Sequence, residues 1–398
     1  MFKSLKRVTC QVADLEKAKQ WYSGILKAPP VFETPVSVIF TIGECSLSLF
    51  KGEPSQSGTN DNMDIYWDVD DIEASYEELL AAGAKPSAPV RTIFNIKIAR
   101  VIDPFGNRIG ITATIKNSTE SSVENKPSET ALNVAICRAL AAYEQRNEIK
   151  GPDFMAELFL PEESKKHFQD AVSIKSVIER GISSALYGYI LARTAYLDDV
   201  VKKSLEENVP QIVFLGAGYD TRAYRHSRLI RNTRLFEMDI RSTQQRKLKI
   251  LADAKITPPR QLSFVTINFK TDKIEDVLVK AGYNTSLQTL FVWEGVSYYL
   301  AEESIHETLQ FVRDCSASGS AICFDYMTEK MESVHAGEPF RFWIAPDKIE
   351  AFLAERGLII AEHLDNREME KRYLTLRDGR LAEKVMTRFG LVRAIKKV

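Results

Sequence analysis

The chain has 398 residues, enough for two ordinary domains that each bury a core of their own. With 44% hydrophobic and 27% charged residues it has the composition of a soluble globular protein. Its formal charge of −1 gives no global attraction to nucleic acid or to an acidic membrane surface. No stretch reaches the ~18–20 uninterrupted apolar residues that a membrane helix needs. The opening residues MFKSLKRVTCQVADLEKA are charged and lack an apolar signal-peptide core. Five cysteines (Cys10, Cys45, Cys137, Cys315, Cys323) are scattered with no CxxC pair, as in a reduced cytosolic protein. The expectation is a cytoplasmic protein with no nucleic-acid or membrane partner.

In chain order, Val8–Val12 alternates as a strand, and Asp14 caps a helix over Leu15–Leu26. Strand patterns follow at Val36–Thr41 and Ser46–Phe50. The order then recurs. Met63–Val69 reads as a strand, Asp70 or Asp71 as the cap of a helix over Ile72–Ala82, and Gly83 as its end. Further strands are expected at Ile93–Ile102 and Arg108–Thr114. A strand, an Asp-capped helix and then strands, twice in succession, make an internal repeat.

Lys116–Thr130, KNSTESSVENKPSET, has one aliphatic residue and cannot bury enough apolar surface to offset its ordering entropy. It reads as an exposed linker at 116–128 between domains at 1–115 and 129–398. Helical patterns then run to Asn208. Buried-strand patterns follow at Gln211–Leu215, Leu235–Met238, Ser263–Ile267, Thr289–Trp293 and Ala321–Asp325, separated by helices. Such alternation predicts a doubly wound, Rossmann-like α/β sheet, preceded by an α+β domain with an internal repeat.

Gly216, Ala217 and Gly218 directly follow the first of these strands, where glycines permit a tight turn and close approach of a ligand to the backbone. The next strand ends in Phe236-Glu237-Met238-Asp239, which places acids about 20 residues beyond the glycines, at the position that accepts ribose hydroxyls in such folds. That spacing suits NAD as well as other nucleoside cofactors. Asp220 is a cofactor-binding candidate that reads also as a helix cap beside the cofactor. Arg222 and Arg225 read also as structural ion-pair residues, and Glu237 reads as a residue that orients the loop.

QIVFLGAGYDTRAYR (211–225), LFEMDI (235–240) and FVWEGVSYYL (291–300) together resemble the leucine carboxyl methyltransferase family. TALNVAICRAL (130–140), ARTAYLDDVV (192–201), GEPFRFWI (337–344) and KRYL (371–374) fit its bacterial O-methyltransferase branch, and the resemblance covers nearly all of 129–398. It implies S-adenosylmethionine (SAM) as cofactor. It further implies that Arg193 holds the cofactor carboxylate, that the turn at Gly216 lies along the methionine moiety, that Asp239 binds ribose and that Glu294 lies on the methionine side. Where the family usually has Asp-Leu at the adenine edge, this chain has Asn268-Phe269, and an amide there can both accept and donate.

Methyl transfer starts from an electrophile that is already activated, so the protein mainly positions the acceptor and excludes water. A carboxylate acceptor needs no base, whereas a hydroxyl calls for one. Tyr298, Tyr299, Asp325, His335 and Arg341 fall where this fold puts the acceptor. Tyr298, His335 and Arg341 are the catalytic candidates, and Arg341 could pair with a substrate carboxylate.

The first domain resembles the vicinal oxygen chelate superfamily, which includes glyoxalase I and bleomycin-resistance proteins, through 12–26, 69–85 and IDPFGNRIGI (102–111). The resemblance implies two βαβββ units that build one cupped cleft, and enzymes of that superfamily bind a divalent metal there through His and Glu. All five histidines of this chain (His167, His226, His306, His335, His363) lie beyond the linker, and the usual ligand positions fall near Arg7, Asp64 and Gly110. The expectation is a metal-free binding cup, with Trp21, Tyr22, Phe40, Phe50, Tyr66 and Trp67 as candidate lining. Modules of this superfamily often pair, which allows a homodimer. The reading is therefore a SAM-dependent O-methyltransferase for a carboxylate or hydroxyl of a small-molecule substrate. Two alternatives stay open: a resistance or sequestration protein, and a protein carboxyl methyltransferase.

Overall fold

The computed structural model describes residues 7–43, 45–52, 65–93, 96–114, 129–160, 165, 184–268, 271–330, 334–335 and 338–397. The chain divides into two compact units, Met1–Lys116 and Asn117–Val398. The segment read as a linker, 116–128, lies outside the described residues.

In the first unit, strand β1 (Arg7–Val12) leads into helix α1 (Leu15–Leu26), followed by β2 (Phe32–Thr34), β3 (Ser37–Ile42) and β4 (Cys45–Lys51). The second repeat has β5 (Tyr66–Asp68), α2 (Ile72–Ala81), β6 (Lys85–Ile93), β7 (Ile96–Ile102) and β8 (Arg108–Thr114). The two sheets have the same internal order, β1-β4-β3-β2 and β5-β8-β7-β6. In each, the first and last strands pair in parallel and the others antiparallel.

Local chemistry sets both helices. Asp14 accepts from the Lys17 N–H at 3.1 Å, and Asp71, the one of the two candidate acids that caps α2, accepts from the Ala74 N–H at 3.0 Å. Leu15, Ala18 and Tyr22 on α1, and Ile72, Tyr76 and Leu79 on α2, share one core with the inner faces of the strands. Asp103, in the DPFGN turn, ties the repeats together. Its buried carboxylate accepts from the Tyr22 hydroxyl at 2.7 Å, the Phe105 and Asn107 N–H groups, and the Asn107 side chain. Two strands do not follow from the pattern: the three-residue β2 comes just after Pro29-Pro30, and the nine-residue β6 contains Pro86 and Pro89. Met63 and Asp64, the start of the expected fourth strand, lie outside the described residues.

The second unit opens with α3 (Glu129–Ala142) and the long α4 (Ser184–Glu206). The strands are β9 (Gln211–Leu215), β10 (Arg234–Asp239), β11 (Leu262–Thr266), β12 (Thr289–Trp293), β13 (Ala321–Met327), β16 (Leu358–Leu364) and β17 (Phe389–Lys396). They form one seven-stranded sheet in the order β11-β10-β9-β12-β13-β17-β16. Every strand from β11 to β13 pairs in parallel, while β17 runs antiparallel to both neighbours. The fold is a Rossmann-like doubly wound sheet. The chain moves outward from β9 to β11 and returns beside β9 as β12. That reversal opens a crevice at the carboxyl ends of β9 and β12, where such folds bind ligands. β9 and β12 are buried at every position, as strands covered on both faces must be.

Candidate functional site

The site is built at this switch point. β9 ends at Leu215, and Gly216 (φ +70) and Gly218 (φ +48) turn the chain through the left-handed region. A Cβ on Gly216 would sit 2.6 Å from Val296 Cγ2, so only glycine lets the turn pass this close to the segment after β12. The Ala217 N–H donates to the Met238 carbonyl at 2.8 Å, which ties the turn to the end of β10. Asp239, the last residue of β10, completes the tie. Its Oδ2 accepts from the Gly218 N–H at 2.5 Å and its Oδ1 from the Ile240 N–H at 2.7 Å. Burial raises its carboxyl to about 6 despite these two bonds. Asp220 accepts from the Arg222 backbone N–H at 2.7 Å and from Arg222 Nη1 at 2.6 Å, so it closes the turn as a cap does.

Glu294 follows β12. Arg222 Nη1 donates to its Oε2 at 2.8 Å, and Arg193 Nε lies 3.0 Å from its Oε1. Burial opposes its ionisation, but the two guanidiniums prevail and hold the carboxyl down at about 2. Glu294 therefore carries its charge at any ordinary pH, with 12% of its side chain open to solvent. Arg193, on α4, is 2% exposed and donates through Nη1 to Asp325 at 2.8 Å and to the Tyr298 hydroxyl at 3.3 Å.

Behind this lies further buried charge. Arg225 pairs with Asp198, as does His226 Nε2 at 3.0 Å. Arg138 donates to the Tyr219 carbonyl at 2.9 Å and lies 3.5 Å from Asp153. Glu237 and Lys247 form an enclosed pair at 2.7 Å, in which burial raises the Glu237 carboxyl to about 7 against the pull of Lys247. Glu237 thus pairs with helix α5 (Arg241–Asp253). Sequence reasoning read Arg222 and Arg225 as ion-pair residues, and both make ion pairs here. It did not find Asp198, which meets Arg225 from 27 residues away, or Asp153, which lies between Arg138, 15 residues upstream, and Thr221, 68 residues downstream.

Several buried polar atoms in this cluster have no hydrogen-bond partner among the described residues. They are Arg222 Nε and Nη2, Arg193 Nε, Arg138 Nε, Glu294 Oε1 and Tyr219 Oη. Arg193 Nε and Glu294 Oε1 face each other as an ion pair at 3.0 Å without a hydrogen bond between them, and Arg222 Nη2 and Tyr219 Oη have no hydrogen-bond partner among the described residues. Charge of both signs with spare hydrogen-bonding capacity thus lies beside a glycine turn, which fits a zwitterionic amino-acid group next to a nucleoside.

The remaining candidates fall around this centre. Tyr298 is 5% exposed and packs on Tyr299, Phe340 and Phe389. Burial, with the charge of Asp325, pushes its phenol well above the usual range, so the hydroxyl stays protonated and cannot act as a base near neutrality. Arg341 is exposed, and its backbone N–H donates to the Tyr298 carbonyl at 2.8 Å. His335 lies in the short β14 (Val334–His335), opposite Glu338 of β15 (Glu338–Pro339). Asn268 closes a turn in which its N–H donates to Asp272 at 2.8 Å, while Phe269 lies outside the described residues.

Among its described residues, the first unit offers no set of side chains suited to a divalent metal. No histidine precedes residue 167, and the described residues include no group of three or more metal-ligating side chains. A Cβ on Gly110 would lie 2.7 Å from Tyr66 Cδ1 and 2.8 Å from the Ile65 carbonyl. The tyrosine ring therefore closes the space a glutamate would need at this place on β8. Arg7 is described for its backbone only, and Asp64 is outside the described residues. Of the expected lining, Tyr22 and Phe40 belong to the core under α1, and Trp21 donates through Nε1 to the Ala82 carbonyl at 2.7 Å. These are packing roles. No helix among the described residues is long and apolar enough to cross a membrane.

Comparison with known proteins bears on both units. A profile of the leucine carboxyl methyltransferases matches residues 131–313, and one of the glyoxalase/bleomycin resistance protein/dioxygenase superfamily matches residues 4–111. YktD of Bacillus subtilis (strain 168), whose name places it among S-adenosyl-L-methionine-dependent methyltransferases, is 31% identical over 222 residues. That match covers 52% of this chain and 72% of YktD. A similarly named protein of Streptomyces coelicolor, SCO7813, is 32% identical over 131 residues, covering 33% of this chain and 46% of that protein. Among solved structures, magnesium protoporphyrin IX methyltransferase from Synechocystis PCC 6803 with bound SAH is 9% identical. It covers 53% of this chain and 85% of that one, with a TM-score of 0.35. A glyoxalase-related enzyme from Fulvimarina pelagi is 20% identical, covering 28% and 89%, with a TM-score of 0.25. The chain belongs to the leucine carboxyl methyltransferase family of SAM-dependent methyltransferases, with a glyoxalase-superfamily domain joined ahead of it.

Proposed function

We propose that the chain is an O-methyltransferase that transfers the methyl group of SAM to a carboxylate or hydroxyl of a small molecule. The observation that carries the reading is Glu294, held ionised between Arg193 and Arg222 and placed across the switch point from Asp239. When bound, the cofactor supplies a methyl group on a sulfonium, ready for in-line displacement. In this reading, Glu294 receives the cofactor's ammonium and the neighbouring guanidiniums of Arg193 and Arg222 favour its carboxylate. The Gly216-Ala217-Gly218 turn passes along the methionine moiety, with Asp220 bracing it through Arg222. Asp239 accepts from the ribose hydroxyls, and Asn268 with Phe269 borders the adenine.

Acceptor chemistry follows from the groups beside Tyr298. Its protonated hydroxyl orients and does not abstract a proton, and exposed Arg341 is suited to pair with an anionic acceptor. A carboxylate acceptor is already ionised and requires no base. His335 is the candidate base for a hydroxyl acceptor. The first unit acts in this reading as a metal-free module that captures the substrate.

The test is a set of small carboxylic acids and phenols incubated with SAM carrying a labelled methyl group. Label recovered as an ester or ether supports the reading. Label appearing only on nitrogen, carbon or protein would replace it with another acceptor class.

A further inference from the structure

Asp325 lies within β13, two residues before its end, and is wholly buried. From its position in the sequence it reads as an acceptor-side residue, but its side chain turns inward and gathers four donors. The Gly295 N–H donates to Oδ1 at 2.7 Å. The Tyr189 hydroxyl at 2.6 Å, Arg193 Nη1 at 2.8 Å and the Tyr298 hydroxyl at 3.4 Å all converge on Oδ2. The Asp325 carbonyl also accepts from the Ser297 hydroxyl at 2.5 Å. A carboxylate this deep is costly to bury, and it persists only with its hydrogen bonds satisfied.

Two of those donors flank Glu294. Arg193 is its ion-pair partner, and Gly295 (φ +72) is its neighbour in the chain. One oxygen of Asp325 thus fixes the turn that presents Glu294, while the other fixes the guanidinium that keeps Glu294 charged. We propose that Asp325 is a positioning residue for the amino-acid end of the cofactor, holding Arg193 and the Glu294–Gly295 turn in register without touching the cofactor itself. This rests on the SAM reading above.

An asparagine tests it closely. It keeps the shape, but its single acceptor oxygen faces four donors, and its NH₂ must oppose either Gly295 N–H or the Arg193 and Tyr189 donors. Two probes separate positioning from general damage. S-adenosylhomocysteine carries the amino-acid group, whereas 5′-methylthioadenosine shares the adenosine and sulfur but lacks that group. In calorimetric titrations of the full chain, Asp325→Asn should weaken S-adenosylhomocysteine about tenfold or more and leave methylthioadenosine within about twofold. Equal weakening of both ligands, or of neither, overturns the proposal while leaving the SAM reading intact. If wild type binds neither ligand, it is the SAM reading that fails. Should Asp325→Asn not fold, Tyr189→Phe removes one neutral donor to the same oxygen. A loss of about threefold for S-adenosylhomocysteine alone supports the proposal, and an equal loss for both ligands contradicts it.

Discussion

Glycine does opposite work in the two units. In the first, Gly110 lets the Tyr66 ring close over β8 and leaves no room for a carboxylate there. In the second, Gly216 and Gly218 bend the chain so that the end of β9 meets Asp239 and packs against the segment that follows Glu294. The two units differ in what their glycines make room for, and among the described residues it is the second unit that gathers buried ion pairs at the carboxyl ends of its strands. Fold likeness carries function only where the groups that do the chemistry are present.

The sharpest way to break this contrast is to discharge the second site. Glu294→Gln leaves two buried guanidiniums without their shared anion, a change that costs about 3–5 kcal/mol when a buried pair loses one member. The C-terminal unit should melt several degrees lower in scanning calorimetry and lose measurable S-adenosylhomocysteine binding. A variant that melts and binds like wild type would show the cluster to be inert.

The reciprocal experiment loads the first site. Gly110→Glu forces a side chain into the Tyr66 ring and the Ile65 carbonyl, and overpacking of this kind costs about 1–3 kcal/mol. The N-terminal unit should unfold earlier while cofactor binding persists. Unchanged melting would mean that the glutamate fits, and that the space is open after all.

Asp239→Ala should weaken cofactor binding by about 1–3 kcal/mol, the cost of leaving buried ribose hydroxyls unpaired. The same residue sets a pH dependence. Burial raises its carboxyl to about 6 in the ligand-free protein, whereas ribose hydroxyls donate to the ionised form. Affinity should therefore fall as pH drops below about 6, with one proton taken up per cofactor released. Stability responds in the other direction. A carboxyl raised on folding contributes most at low pH, and that contribution fades as pH rises through the folded value near 6. Glu294, lowered to about 2, contributes above the unfolded carboxyl value and loses its contribution as pH falls toward 2. Binding that stays flat from pH 8 to pH 5 would argue against an Asp239–ribose contact.

The smallest effect expected is none. Added Zn²⁺ or Ni²⁺ should leave the melting of the first unit and the methyl-transfer activity unchanged, and stimulation by either ion would reverse the metal-free reading.

Much of this arrangement was legible in the residues. β9 and β12 are apolar from Ile212 and Leu290 onward because both faces are covered, and Asp14 and Asp71 announce their helices. Gly216 and Asp239 could be singled out because each sits at a strand end, whereas Glu294 came only from the family resemblance of the segment 291–300. β6 was hidden by two prolines, and the outer strands β16 and β17 by polar interruptions such as Glu362, His363 and Arg393. The role of Asp325 was illegible for a different reason. Its partners Tyr189 and Arg193 lie more than 130 residues upstream on a helix, and only tertiary packing brings them to one oxygen. Local pattern marks where a strand ends, but not which buried charges meet behind it.

The most direct measurement is a calorimetric titration of the full wild-type chain with S-adenosylhomocysteine. A saturable site, one per chain, that disappears in Glu294→Gln is the predicted result. No saturable binding at millimolar ligand would contradict the account.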